Sequence, residues 1–268
     1  QEKKRFAGAE LAGKTLGVVG LGSIGSLVAR QGLDFGMEVV GFDPALSVEA
    51  AWRLPSEVQR MENVQSLFSR SDFVSLHLPV LDSTRGLVNE EMLNHFKTGS
   101  CLLNFAREEI VSTGAVVAAL DNEQLRCYVA DFPNPLLLGR TDTLLMPHIG
   151  ASTAEAEENC AIMAANQLKA FLEHGNIRNS VNFPAIELER TTDCRITIAN
   201  RNEPGMLSHI LTLIGDAGLN VADLLNKSVG DIAYNIIDLD EVPQEGLLNQ
   251  IRTLKGVINL RLIEGAPG

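Results

Sequence analysis

Three glycines and one acid stand at a spacing that can hold a phosphorylated ligand. Gly20-Leu-Gly22-Ser-Ile-Gly25 follows an apolar run, Thr15 to Val19, and Asp43 closes a second run that begins at Glu38. Between them Ile24, Leu27, Val28, Gln31 and Phe35 recur at helical spacing. Strand, glycine turn, helix, strand and terminal acid is the order of a dinucleotide-binding unit. Gly20 allows the tight turn off the strand, Gly22 lets the backbone approach a pyrophosphate, and Gly25 lets the helix pack on the sheet. The N–H groups at the helix start, at Ser23 and Ile24, are then free for phosphate oxygens. A carboxylate at Asp43 accepts both ribose hydroxyls and repels a 2'-phosphate, so the expected cofactor is NAD rather than NADP.

The elements that must position such a ligand alternate along the first half of the chain. Candidate strands are Thr15 to Val19, Glu38 to Asp43, Phe73 to His77, Ser100 to Phe105, Arg126 to Ala130 and Thr143 to Met146. Amphipathic segments lie between them, among them Asn63 to Arg70, Asn89 to Phe96 and Ser112 to Leu120. This order predicts an α/β fold with a Rossmann-type doubly wound parallel sheet, whose ligands gather at the carboxyl ends of the strands. That rule selects Gly20 to Gly25, Asp43, His77 to Pro79, Ala106-Arg107, Asp131 and Pro147 to Gly150.

A long helical pattern from Thr153 to Gly175 has an acidic first turn and a glycine at its end. A polar link containing Pro184 leads into strand, helix, strand, strand, helix, strand from Cys194 onward, the βαββαβ order of a small α+β split sandwich. The expected division is a tail at 1–13, a nucleotide-binding domain at 14–150, a helix and linker at 151–186 and the small domain at 193–264. With 268 residues, 45% of them hydrophobic, the chain can bury a sizeable core. A net charge of -12 argues against nucleic acid and anionic membranes as partners. Cys101, Cys127, Cys160 and Cys194 form no C-x-x-C pair and read as reduced thiols of a cytoplasmic protein. There is no secretory signal, no apolar run of membrane-spanning length and no metal-ligand set to call. The first methionine, Met37, lies inside the nucleotide-binding unit, so a preceding segment is expected.

Gly20 to Gly25, Ser75-Leu-His-Leu-Pro79, Asn104-Phe-Ala-Arg107 and Pro147-His-Ile-Gly-Ala-Ser-Thr153, in this order, resemble the NAD-dependent D-2-hydroxyacid dehydrogenases. The tail, with Asn202-Glu-Pro-Gly-Met-Leu207 and Gly215-Asp-Ala-Gly-Leu-Asn-Val221, resembles an ACT domain, which narrows the likeness to the phosphoglycerate-oxidising branch of that family. The resemblance implies a small 2-hydroxy acid substrate and a homo-oligomer. It makes His148 the general base for the substrate hydroxyl and Arg107 the fork that holds the substrate carboxylate. It adds Pro79, Ala106, Gly150 and Ala151 to the cofactor contacts, with Asp131 set against the nicotinamide carboxamide. For the tail it implies an amino-acid effector, often serine, at Asn200, Asn202 and Asn220.

Blander readings stay open beside these. His148 could cap a surface turn, Arg107 could pair with Glu108 or Glu109, and the three asparagines could be turn formers next to Pro204-Gly205 and Gly218. Three features depart from the family pattern. Glu108 follows Arg107 where glycine is usual. Asp131-Phe-Pro-Asn-Pro135 is shortened and lacks the acid that normally partners the histidine, so that partner is left unassigned. The substrate-lobe half that precedes the nucleotide domain in the family, with the groups that grip a substrate phosphate, is expected upstream of Gln1. A chain that binds NAD and an effector without turnover, and a dehydrogenase for another 2-hydroxy acid, are the competing expectations.

Overall fold

The computed structural model describes residues 8–46 and 48–265. The chain divides into two units, Gln1–Gly150 and Ala151–Gly268. Residues 1–7 of the expected tail lie outside the described residues, and the expected helix-and-linker segment falls inside the second unit.

The first unit is built on seven parallel strands: β1 (Thr15–Val19), β2 (Glu38–Phe42), β3 (Gln59–Arg60), β4 (Phe73–Leu76), β5 (Ser100–Asn104), β6 (Leu125–Ala130) and β7 (Thr143–Leu145). Their order is β3-β2-β1-β4-β5-β6-β7, so the winding reverses between β1 and β4. Strands covered on both faces are nearly unbroken Val, Leu and Ile, as this sheet's centre is. Val19, Val40, Val74, Leu76 and Leu102 pack with Phe68 and Phe96 on one face, and Leu16, Val18, Ala29 and Val39 pack on the other. β3 is the strand the sequence does not announce. It has two residues, both polar and exposed, held by pairing with Val40 and Gly41.

Helices α1 (Ser23–Asp34), α2 (Val48–Trp52), α3 (Val64–Arg70), α4 (Glu90–Leu93) and α5 (Thr113–Asp121) join the strands. Their starts follow local rules. Asn63 caps α3 by accepting from Ser66 N at 2.8 Å, and Asn89 caps α4 by accepting from Met92 N at 2.9 Å. α4 stops three residues before the expected Phe96. Its last N–H groups, on His95 and Phe96, bond three residues back in a tightened turn, and Gly99 then turns the chain at φ +75°.

The second unit opens with α6 (Ala154–His174), capped by Thr153, whose hydroxyl accepts from Ala156 N at 3.1 Å. Gly175 ends it at φ +71°, with Gly175 N bonded to Phe171 O and Asn176 N to Ala170 O. A Cβ there would meet Thr197 Cγ2 at 2.3 Å. Then come β8 (Cys194–Arg201), α7 (Met206–Asp216), β9 (Val221–Val229), β10 (Ile232–Leu239), α8 (Glu245–Arg252) and β11 (Val257–Glu264) in an antiparallel sheet of order β11-β8-β10-β9. Cys194, Ile196 and Ile198 point to α7 and α8, while Ala199, Tyr234 and Ile236 pack under Phe171, Phe183 and Leu188 from the other side.

That second face holds a fully buried ion pair. Arg195 Nε and Nη2 donate to the two Asp238 oxygens at 2.5 and 2.9 Å, and neither side chain is exposed. The remaining donors reach His174 O (2.8 Å), Leu188 O (3.0 Å) and Glu189 O (3.1 Å). Each of the five guanidinium N–H groups thus has an acceptor.

Candidate functional site

The glycine turn follows from close contacts. Gly20 stands at φ +89°, and a Cβ on it would lie 2.4 Å from His77 O; one on Gly25 would lie 1.8 Å from Gly20 O. A Cβ on Gly22 would meet nothing within 4 Å. Gly22 is also the N-cap of α1 and carries no side-chain cap bond, so the N–H groups at Ser23 and Ile24 open onto that empty cradle. Asp43, at the end of β2, is fixed by two backbone donors, Leu21 N on Oδ2 and Ala45 N on Oδ1, each at 2.9 Å. Both oxygens keep a lone pair for a ribose hydroxyl. Beside it opens a cleft of about 700 Å³ between Leu21, Asp43, Leu46, Trp52 and Val58, with Arg60 at its wall. Apolar walls with one carboxylate at the edge suit an adenosine.

At the strand ends beyond the switch point, Asn104 organises a loop. Fully buried, it accepts from Ala106 N at 3.2 Å and donates to Arg107 O at 3.0 Å and Tyr128 Oη at 3.4 Å. Ala106 is thereby buried and Arg107 presented exposed, its Nη1 donating to Ala106 O at 2.7 Å. Arg107 forms no ion pair among the described residues, and Glu108 instead accepts from Asn134 Nδ2 at 3.1 Å. The Glu108 that replaces glycine begins a single 3-10 turn, Glu108–Ile110.

β6 and β7 are neighbours in register, Ala130 opposite Leu145, and their ends bring an acid to the histidine. His148 Nδ1 donates to Asp131 Oδ2 at 2.8 Å, and its ring stacks on Phe132 with centroids 4.9 Å apart. The histidine's partner, left unassigned from the sequence, is Asp131. Its other oxygen, Oδ1, is buried and has no partner among the described residues. A buried acceptor of this kind calls for a donor, and the amide of a nicotinamide carboxamide supplies one. The residues present therefore fit NAD at both ends of the cofactor.

His77 Nε2 lies 2.8 Å from Ser75 Oγ and burial pushes the imidazole down to about 4, so it is neutral near pH 7. Pro79 is exposed after it, its carbonyl accepting from Thr84 Oγ1 at 2.6 Å. Gly150 closes the first unit with open space at its Cβ position, and Ala151 begins the second.

A family model described as "D-isomer specific 2-hydroxyacid dehydrogenase, NAD binding domain" matches residues 1–150. The chain belongs to the D-isomer specific 2-hydroxyacid dehydrogenases. Among curated relatives, D-3-phosphoglycerate dehydrogenase of Haemophilus influenzae is 31% identical over 95% of this chain and 64% of its own length. That of Methanocaldococcus jannaschii is 32% identical over 89% of this chain and 45% of its own length. The chain thus spans less than two thirds of these relatives. Among solved structures, a glyoxylate reductase from Paecilomyes thermophila superposes with TM-score 0.58 at 30% identity, covering 65% of this chain and 54% of that one. D-lactate dehydrogenase from Aquifex aeolicus, complexed with NAD and lactic acid, gives TM-score 0.54 at 27% identity, covering 64% and 59%. Among the described residues, no helix is long and apolar enough to cross a membrane.

The three tail asparagines do not converge within one copy. Asn200 is buried in an amide chain across three strands: it accepts from Asn235 Nδ2 at 2.6 Å, and Asn235 accepts from Asn226 Nδ2 at 2.6 Å. Asn202 is exposed and donates to Gly230 O at 3.2 Å; Asn220 donates to Asp240 at 2.7 Å. β8 pairs Arg201 with Ile232 at one end and Cys194 with Leu239 at the other, and Val221 lies beside Leu239. Asn202 and Asn220 therefore sit at opposite ends of the sheet, about 25 Å apart at strand rise.

Proposed function

We propose that this chain carries the nucleotide-binding and acid-base machinery of a D-3-phosphoglycerate dehydrogenase, which oxidises D-3-phosphoglycerate to 3-phosphohydroxypyruvate at the head of L-serine formation. The observation that carries the reading is the His148–Asp131 pair, standing at the same sheet edge as Arg107 and the glycine turn. What bound NAD supplies is a hydride acceptor for the carbon that bears the hydroxyl. The chain's own residues do the rest. Asp131 Oδ2 holds the proton on His148 Nδ1, so Nε2 presents its lone pair to the substrate hydroxyl and takes its proton. Phe132 fixes the ring plane. Arg107, with no competing carboxylate, holds the substrate carboxylate through a planar fork. Asp43 takes the adenosine ribose, and Ser23 and Ile24 take the pyrophosphate.

The tail is read as an ACT domain that pairs with a second copy. Because Asn202 and Asn220 lie at opposite ends of one sheet, an amino acid held by both must sit between two copies whose sheets run antiparallel, as a two-fold axis provides. Serine is the candidate effector.

A second reading is that the chain binds NAD without turning over. The two separate in one experiment. NAD titration is followed by the fluorescence of Trp52, the chain's single tryptophan, which lines the Asp43 cleft. Turnover is then assayed with D-3-phosphoglycerate, D-lactate and glyoxylate. Binding with phosphoglycerate turnover supports the dehydrogenase; binding without turnover on any acid supports the second reading; no NAD binding overturns both.

A further inference from the structure

On the β5–β6 pair the first unit places two thiols and a cation together. Cys101 and Cys127 are register partners on adjacent parallel strands. Neighbouring strands lie about 4.8 Å apart, within the Cα separation of about 4.4–6.8 Å that a disulfide spans. The register slips just here: Ser100 faces Leu125 while Cys101 faces Cys127, leaving Arg126 as the extra residue of a bulge. Bulges re-aim side chains, and Arg126 Nη2 donates to Cys101 Sγ at 3.1 Å. Its guanidinium also lies 6.0 Å from the ring of Phe73, the β4 partner of Cys101. Access is graded, with Cys101 buried, Cys127 half-buried and Arg126 exposed.

Access gives the two sulfurs different roles, since the half-buried Cys127 is the one an oxidant reaches first, and the electrostatics act in the same direction. The neighbouring Cys101 thiol and the charge of Arg126 together outweigh burial and Asp142 and bring the Cys127 thiol down to about 7. The same contact pushes Cys101 up. Asp142 is itself held by Arg140 at 2.9 and 2.8 Å.

We propose that Cys101 and Cys127 form a peroxide-sensitive dithiol, Cys127 attacking the oxidant and Cys101 resolving it into a reversible cross-strand disulfide. The Cys127 thiolate breaks the O–O bond of hydrogen peroxide, forms an S–O bond and releases hydroxide. Cys101 sulfur then attacks the sulfenic sulfur, the S–O bond breaks, and the Cys101 proton leaves with the oxygen as water. Two thiols and one peroxide yield one disulfide and two waters. The bond would tie β5 to β6 below the loops that carry Arg107 and Asp131.

The test uses the full chain with Cys160, the exposed thiol, replaced by alanine. After stoichiometric peroxide and quenching with N-ethylmaleimide, the expected product is lighter by two hydrogens, with a Cys101–Cys127 linked peptide that dithiothreitol reopens. Arg126→Gln, which keeps both thiols, should slow loss of the Cys127 thiol by about tenfold at neutral pH, because thiolate is the reacting form. Cys127 carried to sulfinic acid with Cys101 still alkylated, or an unchanged rate in Arg126→Gln, would overturn the proposal.

Discussion

Removal of Asp238 should be the most costly single change in the second unit. Asp238→Ala deletes the two carboxylate acceptors of Arg195 and the bonds from Thr191 N (3.2 Å) and Oγ1 (3.3 Å), leaving a guanidinium with no solvent access and no counter-charge. Breaking a buried pair from one side costs about 3–5 kcal/mol. For a unit of 118 residues (151 to 268), with roughly 4 °C per kcal/mol, the melting point should fall by about 12–20 °C. Arg195→Met combined with Asp238→Leu removes the charge as well, and should recover part of the loss. It cannot recover all of it, since His174, Leu188 and Glu189 would still lose the donor to their carbonyls. Calorimetry and urea unfolding of the three proteins give the comparison, with Trp52 fluorescence as the signal from the first unit. A single variant that loses less than about 1 kcal/mol would show that the pair contributes no more than an exposed one.

Asp43→Ala should weaken NAD and narrow its advantage over NADP; equal titration of both cofactors by the unmutated chain would sink the ribose assignment. In a protein that turns over, His148→Asn and Arg107→Ala should each lower kcat/KM by about 10²-fold or more with NAD affinity little changed, and near-normal rates would remove the role given to either residue. His77 is neutral when folded and charges when unfolded, so stability should be complete above about pH 6.5 and fall as the pH drops toward 4. His77→Gln should flatten that slope, and an identical slope in urea titrations would contradict it. Residues 151–268 should dimerise, and serine should raise their melting temperature only if Asn220 is intact; a monomer in sedimentation with no serine heat in calorimetry would leave the asparagines as turn formers.

What could be read from the sequence was what short stretches decide for themselves. The glycine cap at Gly175, the glycine turn and the segment starts at Asn63, Asn89 and Thr153 depend on neighbours a few residues away. The partner of His148 was hidden because Asp131 lies 17 residues before it and meets it only once β6 and β7 are adjacent. β3 was hidden because two exposed polar residues have no period, and pairing with β2 alone makes them a strand. Arg195 falls at an alternating position that reads as solvent-facing. It is buried because residues 176–190, written off as a link, fold across that face, joined by the Ile177–Ile186 bridge. Asn104 was visible within the Asn104-Phe-Ala-Arg107 motif but its task was not, because its three partners are set only when the loop folds over the buried amide.

α6 meets the sheet of its own unit chiefly through its last turn. His174 O is held by Arg195, Phe171 O and Leu172 O by Arg261 at 3.2 and 3.0 Å, and Gly175 O by Tyr234. None of its 21 residues is buried. Mechanically this is a rod fixed at one end. At 1.5 Å per residue it is about 31 Å long, so a tilt of about 5° at the fixed end sweeps the free end through about 2.7 Å. The free end is at Thr153, the N-cap. A shift of a few tenths of an ångström in the sheet at Arg195 is thus multiplied along the rod before it reaches the first turn of α6.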